Sequence, residues 1–153
     1  MYKVQKSRKK IKFILKHLRK EDYEEMRVAH GENWFAKTLK ITMKADVIIG
    51  QSKKTNVPIV MFGSRDIGEG RAVVWLLSTS GIEHKKFALI KNAKKELALI
   101  EQKHSFLFNC IHEKNFKMLH LLKSLGFRIL QYNGSLNPEM KFFYKRIMKK
   151  GLD

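Results

Sequence analysis

The chain has 153 residues, 44% of them hydrophobic with ten phenylalanines and two tryptophans, which is enough for a packed core and excludes a disordered basic protein. Thirty-two lysines and arginines against fourteen acids leave a net charge of +18, a balance that draws phosphate-bearing partners such as nucleic acid or another polyanion. The longest apolar runs, Val57–Phe62 and Ala72–Leu77, have six residues each, far short of the about 20 that a membrane helix needs.

Residues 1–10 are basic and carry no apolar period, and they read as a flexible arm ahead of a single domain over 11–153. Ile11-Lys-Phe-Ile-Leu alternates imperfectly and predicts the first strand. Asp22 reads as the cap of a helix ending near Ala29, with acidic residues in the first turn where they suit the helix dipole. Gly31 stops that helix, and Asn33 can cap a second one over Trp34–Lys44, whose Phe35, Leu39 and Met43 repeat every four residues.

Three extended segments follow: Asp46–Gln51, Pro58–Arg65 and Arg71–Ser78. The turn Asp66-Ile-Gly-Glu-Gly joins the last two. Ala72-Val-Val-Trp-Leu-Leu is continuously apolar, as a strand covered on both faces is. A long amphipathic helix is predicted from Ile82 to about Lys103, with Phe87, Ile90, Ala93, Leu97 and Ile100 inward and Lys85, Lys91, Lys94 and Lys95 elsewhere. Phe106–Ile111 is a second buried strand, Asn115–Ser124 a helix closed by Gly126. Phe127–Tyr132 and Met140–Met148 end the chain as strands. The class is α+β, a central mixed, mostly antiparallel sheet flanked by helices in the order β-α-α-β-β-β-α-β-α-β-β.

The segment Asn115-Phe-Lys-Met-Leu-His-Leu-Leu-Lys-Ser-Leu-Gly-Phe127 resembles the late motif of the GNAT N-acetyltransferase superfamily, with an asparagine opening a helix and Leu-Gly-Phe closing it. Val74-Trp-Leu-Leu-Ser-Thr79, the long helix and Leu107-Phe-Asn109 resemble more narrowly the phage internal (core) protein A family. The resemblance implies acyl transfer from acetyl-CoA to an amine by direct attack, with the cofactor where two parallel strands splay apart. Carried over by position, Leu77, Ser78 and Thr79 would meet the pantetheine and acyl group. Ser80, Gly81 and Ile82 would meet the pyrophosphate, with Lys85 and Lys86 adding charge and Asn115 a further contact. The chain departs from the superfamily pattern at the loop, at Glu83, which places a negative charge near the phosphates, and at Leu122. The pyrophosphate loop has one glycine, Gly81, instead of two spaced ones, and the tyrosine that protonates the leaving thiolate falls on Leu122.

Two readings of function stay open: an N-acetyltransferase, or a GNAT-like phage protein without activity that serves virion assembly or binds nucleic acid through its basic surface. Catalytic candidates are His112 and Glu113 after the fifth strand, and Tyr132 and Tyr144 on the last strands. Each has a plainer role: His112 and Glu113 as loop residues, the tyrosines as sheet residues, and Asn115 as a helix cap. Cys110, the single cysteine, reads as a buried small hydrophobe. Six scattered histidines lack ligand spacing, so no metal is expected. Lys12, Lys16 and His17 break the N-terminal apolar stretch, so neither a signal peptide nor membrane association is expected. The chain reads as cytoplasmic, or as residing in host cytoplasm or virion if phage-encoded, where phage structural proteins would be its neighbours.

Overall fold

The computed structural model describes residues 1–130 and 138–148. The elements are β1 (Tyr2–Gln5), α1 (Arg8–Lys16), α2 (Lys20–His30), α3 (Trp34–Lys44), β2 (Asp46–Gln51), β3 (Pro58–Gly68), β4 (Arg71–Ser78), α4 (Lys86–Lys103), β5 (Phe106–His112), α5 (Phe116–Ser124), β6 (Arg128–Ile129) and β7 (Met140–Arg146). A 3-10 turn over Ser80–His84 lies between β4 and α4. The strands hydrogen-bond in the order β1-β2-β3-β4-β5-β7-β6, a mixed sheet in which β4 and β5 run parallel and β5–β7 and β6–β7 antiparallel. The expected class, a mixed and mostly antiparallel sheet flanked by helices, is observed.

The N-terminus differs from the expectation. Tyr2–Gln5 is not an arm but a strand, antiparallel to β2 with Tyr2 opposite Gln51. Ile11–Leu15 is not a strand but the body of α1. Ser7 caps that helix, its hydroxyl accepting from the Lys10 N–H at 3.2 Å. Ile11, Ile14 and Leu15 then fall at the three- and four-residue spacing that puts them on one helix face, and all three are buried. The order of elements therefore gains one helix between the first strand and Lys20.

The chain forms two compact units. The first holds Met1–Ser64 and Trp75–Ala93, the second Arg65–Val74 and the chain from Lys94 onward. In the first, Ile11, Ile14 and Leu15 of α1 pack with Leu39 of α3, Val47 and Ile49 of β2, Met61 of β3 and Leu77 of β4. Trp75 lies against this core, and Gly63 makes room for it. A Cβ at Gly63 would stand 2.2 Å from Cε2 of the indole, so only glycine fits beneath that ring. A smaller cluster joins Ile59, Val60 and Ile82, with Leu89 of α4 packed against it.

In the second unit the two-residue turn Glu69–Gly70 has both φ angles positive, 57° and 74°, the geometry of a tight hairpin turn. The Gly70 carbonyl accepts from the Ser105 N–H at 2.7 Å, which ties the turn to the start of β5. Met118, Leu121 and Leu122 are the buried face of α5. Gly126, at φ 90°, follows that helix as its stop glycine, and Phe127 packs edge-on against Phe143 with centroids 5.3 Å apart. The last two strands are shorter than expected, β6 covering Arg128–Ile129 and β7 ending at Arg146. Tyr132 and most of the turn before Pro138 lie outside the described residues.

Candidate functional site

In the first unit β4 ends in Leu77 and Ser78, Thr79 follows, and all three are buried. Successive residues of a strand direct their backbone groups to opposite edges. The Thr79 N–H donates to the Ile59 carbonyl of β3 at 2.8 Å, so the Ser78 groups point to the other edge. Both of these are engaged by the start of α2. The Ser78 N–H donates to Asp22 Oδ2 at 3.0 Å, the Ser78 hydroxyl to the same oxygen at 3.3 Å, and the Ser78 carbonyl accepts from the Arg19 N–H at 2.9 Å. An antiparallel bridge between Leu18 and Thr79 completes the contact. Asp22 is wholly buried. Its charge is met by Arg19, whose Nη2 lies 3.0 Å from Oδ1 and whose Nε lies 3.3 Å from Oδ2, so the buried ions are paired and hydrogen-bonded as burial requires.

Sequence reasoning missed this arrangement. Asp22, expected as a helix cap, sits inside the first turn, and the cap position is Arg19. The i, i+3 spacing of Arg19 and Asp22 was the one local sign of an ion pair. Nothing local pointed to Ser78.

After β4 the expected phosphate-binding loop is a 3-10 turn, not the opening of one long helix. The Thr79 hydroxyl accepts from the Gly81 N–H at 3.2 Å, so that donor already has a partner. Ser80 and Gly81 are exposed, while Ile82 is buried with Ile59 and Val60. The α-helix proper starts at Lys86. Its first internal bond here runs from the Leu89 N–H to the Lys85 carbonyl, which leaves the N–H groups of Lys86, Phe87 and Ala88 ahead of the helical ladder. Lys85 is half-buried and Lys86 exposed at this end. Phe87, expected inward, is 88% exposed. Free N–H groups, a helix dipole and two lysines together suit an anion.

The other candidates belong to the second unit. The parallel ladder of β4 and β5 pairs Arg71 with Phe106, Ala72 with Leu107 and Val73 with Phe108. At the next position a side chain takes over. The Asn109 amide donates through Nδ2 to the Val74 carbonyl at 2.9 Å, and its Oδ1 accepts from the Cys110 N–H at 2.7 Å. At the end of β5, His112 is buried. Its Nδ1 accepts from the Lys114 N–H at 3.1 Å, so the neutral ring carries its proton on Nε2, which faces Glu139 Oε2 at 3.4 Å. Glu113 lies 3.8 Å from the Lys141 ammonium. Asn115 opens α5 and is 1% exposed, but its side chain makes no capping bond to the first turn, so the plain capping role does not describe it. Tyr144 stacks on Phe106 and Phe142, with centroids 5.8 and 6.0 Å away. Leu122, at the position of the superfamily's tyrosine, is buried. Cys110, expected inside, is exposed.

No protein-family model matches the chain, and no curated protein matches it in sequence. Solved structures do. The GNAT domain of S. lividans PAT matches with a TM-score of 0.70 at 12% identity, covering 95% of this chain and 88% of that one. Spermidine N-acetyltransferase from Vibrio cholerae, in complex with CoA and spermine, matches with a TM-score of 0.69 at 13% identity, over 95% of each chain. An acetyltransferase of the GNAT family from Bacillus anthracis matches with 0.67 at 13% identity, over 94% of this chain and 93% of that one. The protein has the GNAT N-acetyltransferase fold. Among the described residues no helix is long and apolar enough to cross a membrane.

Proposed function

We propose that this chain is a GNAT-fold N-acetyltransferase that uses acetyl-CoA. The observation that carries this reading is the start of α4, where the unladdered N–H groups of Lys86, Phe87 and Ala88 meet the charges of Lys85 and Lys86. That end suits the CoA phosphates. Acetyl-CoA supplies a thioester: an amine nitrogen bonds to its carbonyl carbon, the carbon–sulfur bond breaks, and the amine proton ends on the thiolate. The fold neighbours support the reading, since one of them is a spermidine N-acetyltransferase in complex with CoA and spermine. Charge argues against a polyamine acceptor here. A polycation approaching a chain of net charge +18 is repelled, so the acceptor is an amine carried on an acidic protein or a nucleic acid such as aminoacyl-tRNA.

A second reading is favoured by a specific observation. The Ser78 N–H and carbonyl, which would pair with the thioester arm, are held by Asp22 and Arg19, and Leu122 cannot donate a proton. This is the reading of a GNAT-like protein without transfer, acting in a phage particle or on nucleic acid. One experiment separates the two. A ligand at 100 times its dissociation constant adds about 2.7 kcal/mol of stability, so the first reading expects acetyl-CoA to raise the melting temperature and a panel of amines to release free CoA thiol. No melting shift at millimolar acetyl-CoA overturns the first reading. A shift without thiol release from any amine favours the second.

A further inference from the structure

The sheet of the second unit has two unlike faces, and strand register decides which residues share one. Residues paired directly across strands point to the same side. Phe106 pairs with Arg146, Phe108 with Tyr144 and Cys110 with Phe142. Arg128 pairs with Tyr144 and Arg71 with Phe106. The opposite face carries Leu107, Ile111 and Phe143, which are 0%, 2% and 5% exposed. On the first face the four rings are only half-buried, and Arg71, Arg128 and Arg146 are exposed.

The rings form a continuous row. Phe106 lies 5.7 Å from Phe108 and 5.8 Å from Tyr144, Phe108 lies 5.8 Å from Phe142, and Phe142 lies 6.0 Å from Tyr144. Interplanar angles of 22° to 34° keep the four rings close to one orientation.

We propose that this face binds single-stranded nucleic acid, with bases stacked on the ring row and phosphates held by Arg71, Arg128 and Arg146. Charge selects this occupant over a second copy of the chain. A symmetric dimer through this face would set its arginines against the same arginines, at a cost from like-charge repulsion. Among the described residues Glu69 lies 3.6 Å from Arg71, its own side chain largely exposed and that of Arg71 about half exposed, so the pair is weak and a phosphate can displace it. Paired bases in a duplex present only their edges, whereas a single strand can lay its base faces on aromatic rings. The proposal uses none of the residues assigned to acetyl-CoA, and its readout is oligonucleotide binding, which is measured apart from the transfer for which Tyr144 is a candidate.

The test is fluorescence polarisation with labelled oligothymidine, with oligouridine as the RNA arm and a duplex as competitor. Single-strand binding loses about 0.7 log units of affinity per phosphate contact for each tenfold rise in salt. Three arginines therefore predict roughly twenty-fold weaker binding between 50 and 200 mM salt. Arg128→Gln with Arg146→Gln flattens that dependence, and Phe142→Leu with Tyr144→Leu weakens binding by about tenfold at every salt concentration. Lys94→Gln with Lys95→Gln, exposed on α4, serves as the charge-matched control and has a smaller effect than the arginine pair. If the ring variants fail to fold by circular dichroism, the arginine pair and the competitor decide alone. The proposal is overturned if neither strand binds, if the arginine variant and the control behave alike, or if duplex competes as well as single strand. Self-association lost on replacing Arg128 and Arg146 would also overturn it and assign the face to a second copy.

Discussion

Asp22 and Ser78, 56 positions apart, are joined by two hydrogen bonds to one carboxylate oxygen, from the backbone N–H at 3.0 Å and from the hydroxyl at 3.3 Å. This contact fixes the start of α2 to the end of β4. It also fills the edge of β4 on which the proposed cofactor arm would lie.

Removing one member of a buried, hydrogen-bonded ion pair costs about 3–5 kcal/mol, because the partner is left charged and buried. Asp22→Ala is expected to lose stability in that range in urea unfolding, since it takes from the buried Arg19 the carboxylate that its Nη2 meets at 3.0 Å. Asp22→Leu with Arg19→Met, which removes both charges, should recover a good part of the loss. Equal stability of Asp22→Ala and wild type would show that the pair is not formed in solution.

Gly63 is held to its residue type by the Trp75 ring. A methyl group there overlaps the indole, and overpacking of this kind costs roughly 1–3 kcal/mol. Gly63→Ala should lower the melting temperature, and Gly63→Ala with Trp75→Leu should be less destabilised than the sum of the two single changes.

Acid should weaken the fold in two separate windows. Burial, and then the charge of Lys37, hold the His30 imidazole below its ordinary value of 6.5. Burial outweighs the stabilisation a cation would gain at the C-terminal end of α2. The unfolded chain then takes up this proton first, so the stability from His30 is present above the ordinary 6.5 and is lost as the pH falls below it through the lower folded value. Asp66 is lowered by the Gly68 N–H and then by His104. Its contribution is present above the ordinary 3.8 and is lost as the pH falls through the lower folded value. His30→Gln should flatten the decline in urea midpoint between pH 7.5 and 5.5, and Asp66→Asn should flatten the decline below the ordinary carboxylate value of 3.8.

Lys85 and Lys86 offer a direct test of the phosphate end. A hydrogen bond to a charged group contributes about 1.5–3 kcal/mol, so Lys85→Gln with Lys86→Gln should weaken acetyl-CoA binding by at least about tenfold in calorimetry. Its melting temperature without ligand should stay close to wild type, since Lys86 is exposed. Unchanged affinity would move the phosphates away from α4.

Where pattern and punctuation agreed, the elements were readable to the residue: α3, β2 and β4 have the expected bounds. Gly31 and Asn33 bracket the start of α3, and Ala72–Leu77 is too uniformly apolar for an exposed element. The short run Ile11–Leu15 misled because five apolar-rich residues fit either period. The cap at Ser7 and the pairing of Ile11 with Ile14 and Leu15 were the signs of a helix. The long helix starts at Lys86, four residues after the expected Ile82, because the 3-10 turn continues the same apolar spacing through Ile82. The Arg19–Asp22–Ser78 contact and the aromatic row were hidden for one reason. Both depend on which strands and helices become neighbours, which local spacing does not encode.

The pairing of β1 with β2 has a consequence for biosynthesis. Gln51 donates to the Tyr2 hydroxyl across 49 positions. At about 5–20 residues per second on the ribosome, the first strand therefore waits roughly 2–10 seconds for its partner to be made. Lys3 and Lys6 give that waiting segment like charges that repel a neighbouring nascent chain, as edge lysines do in finished sheets.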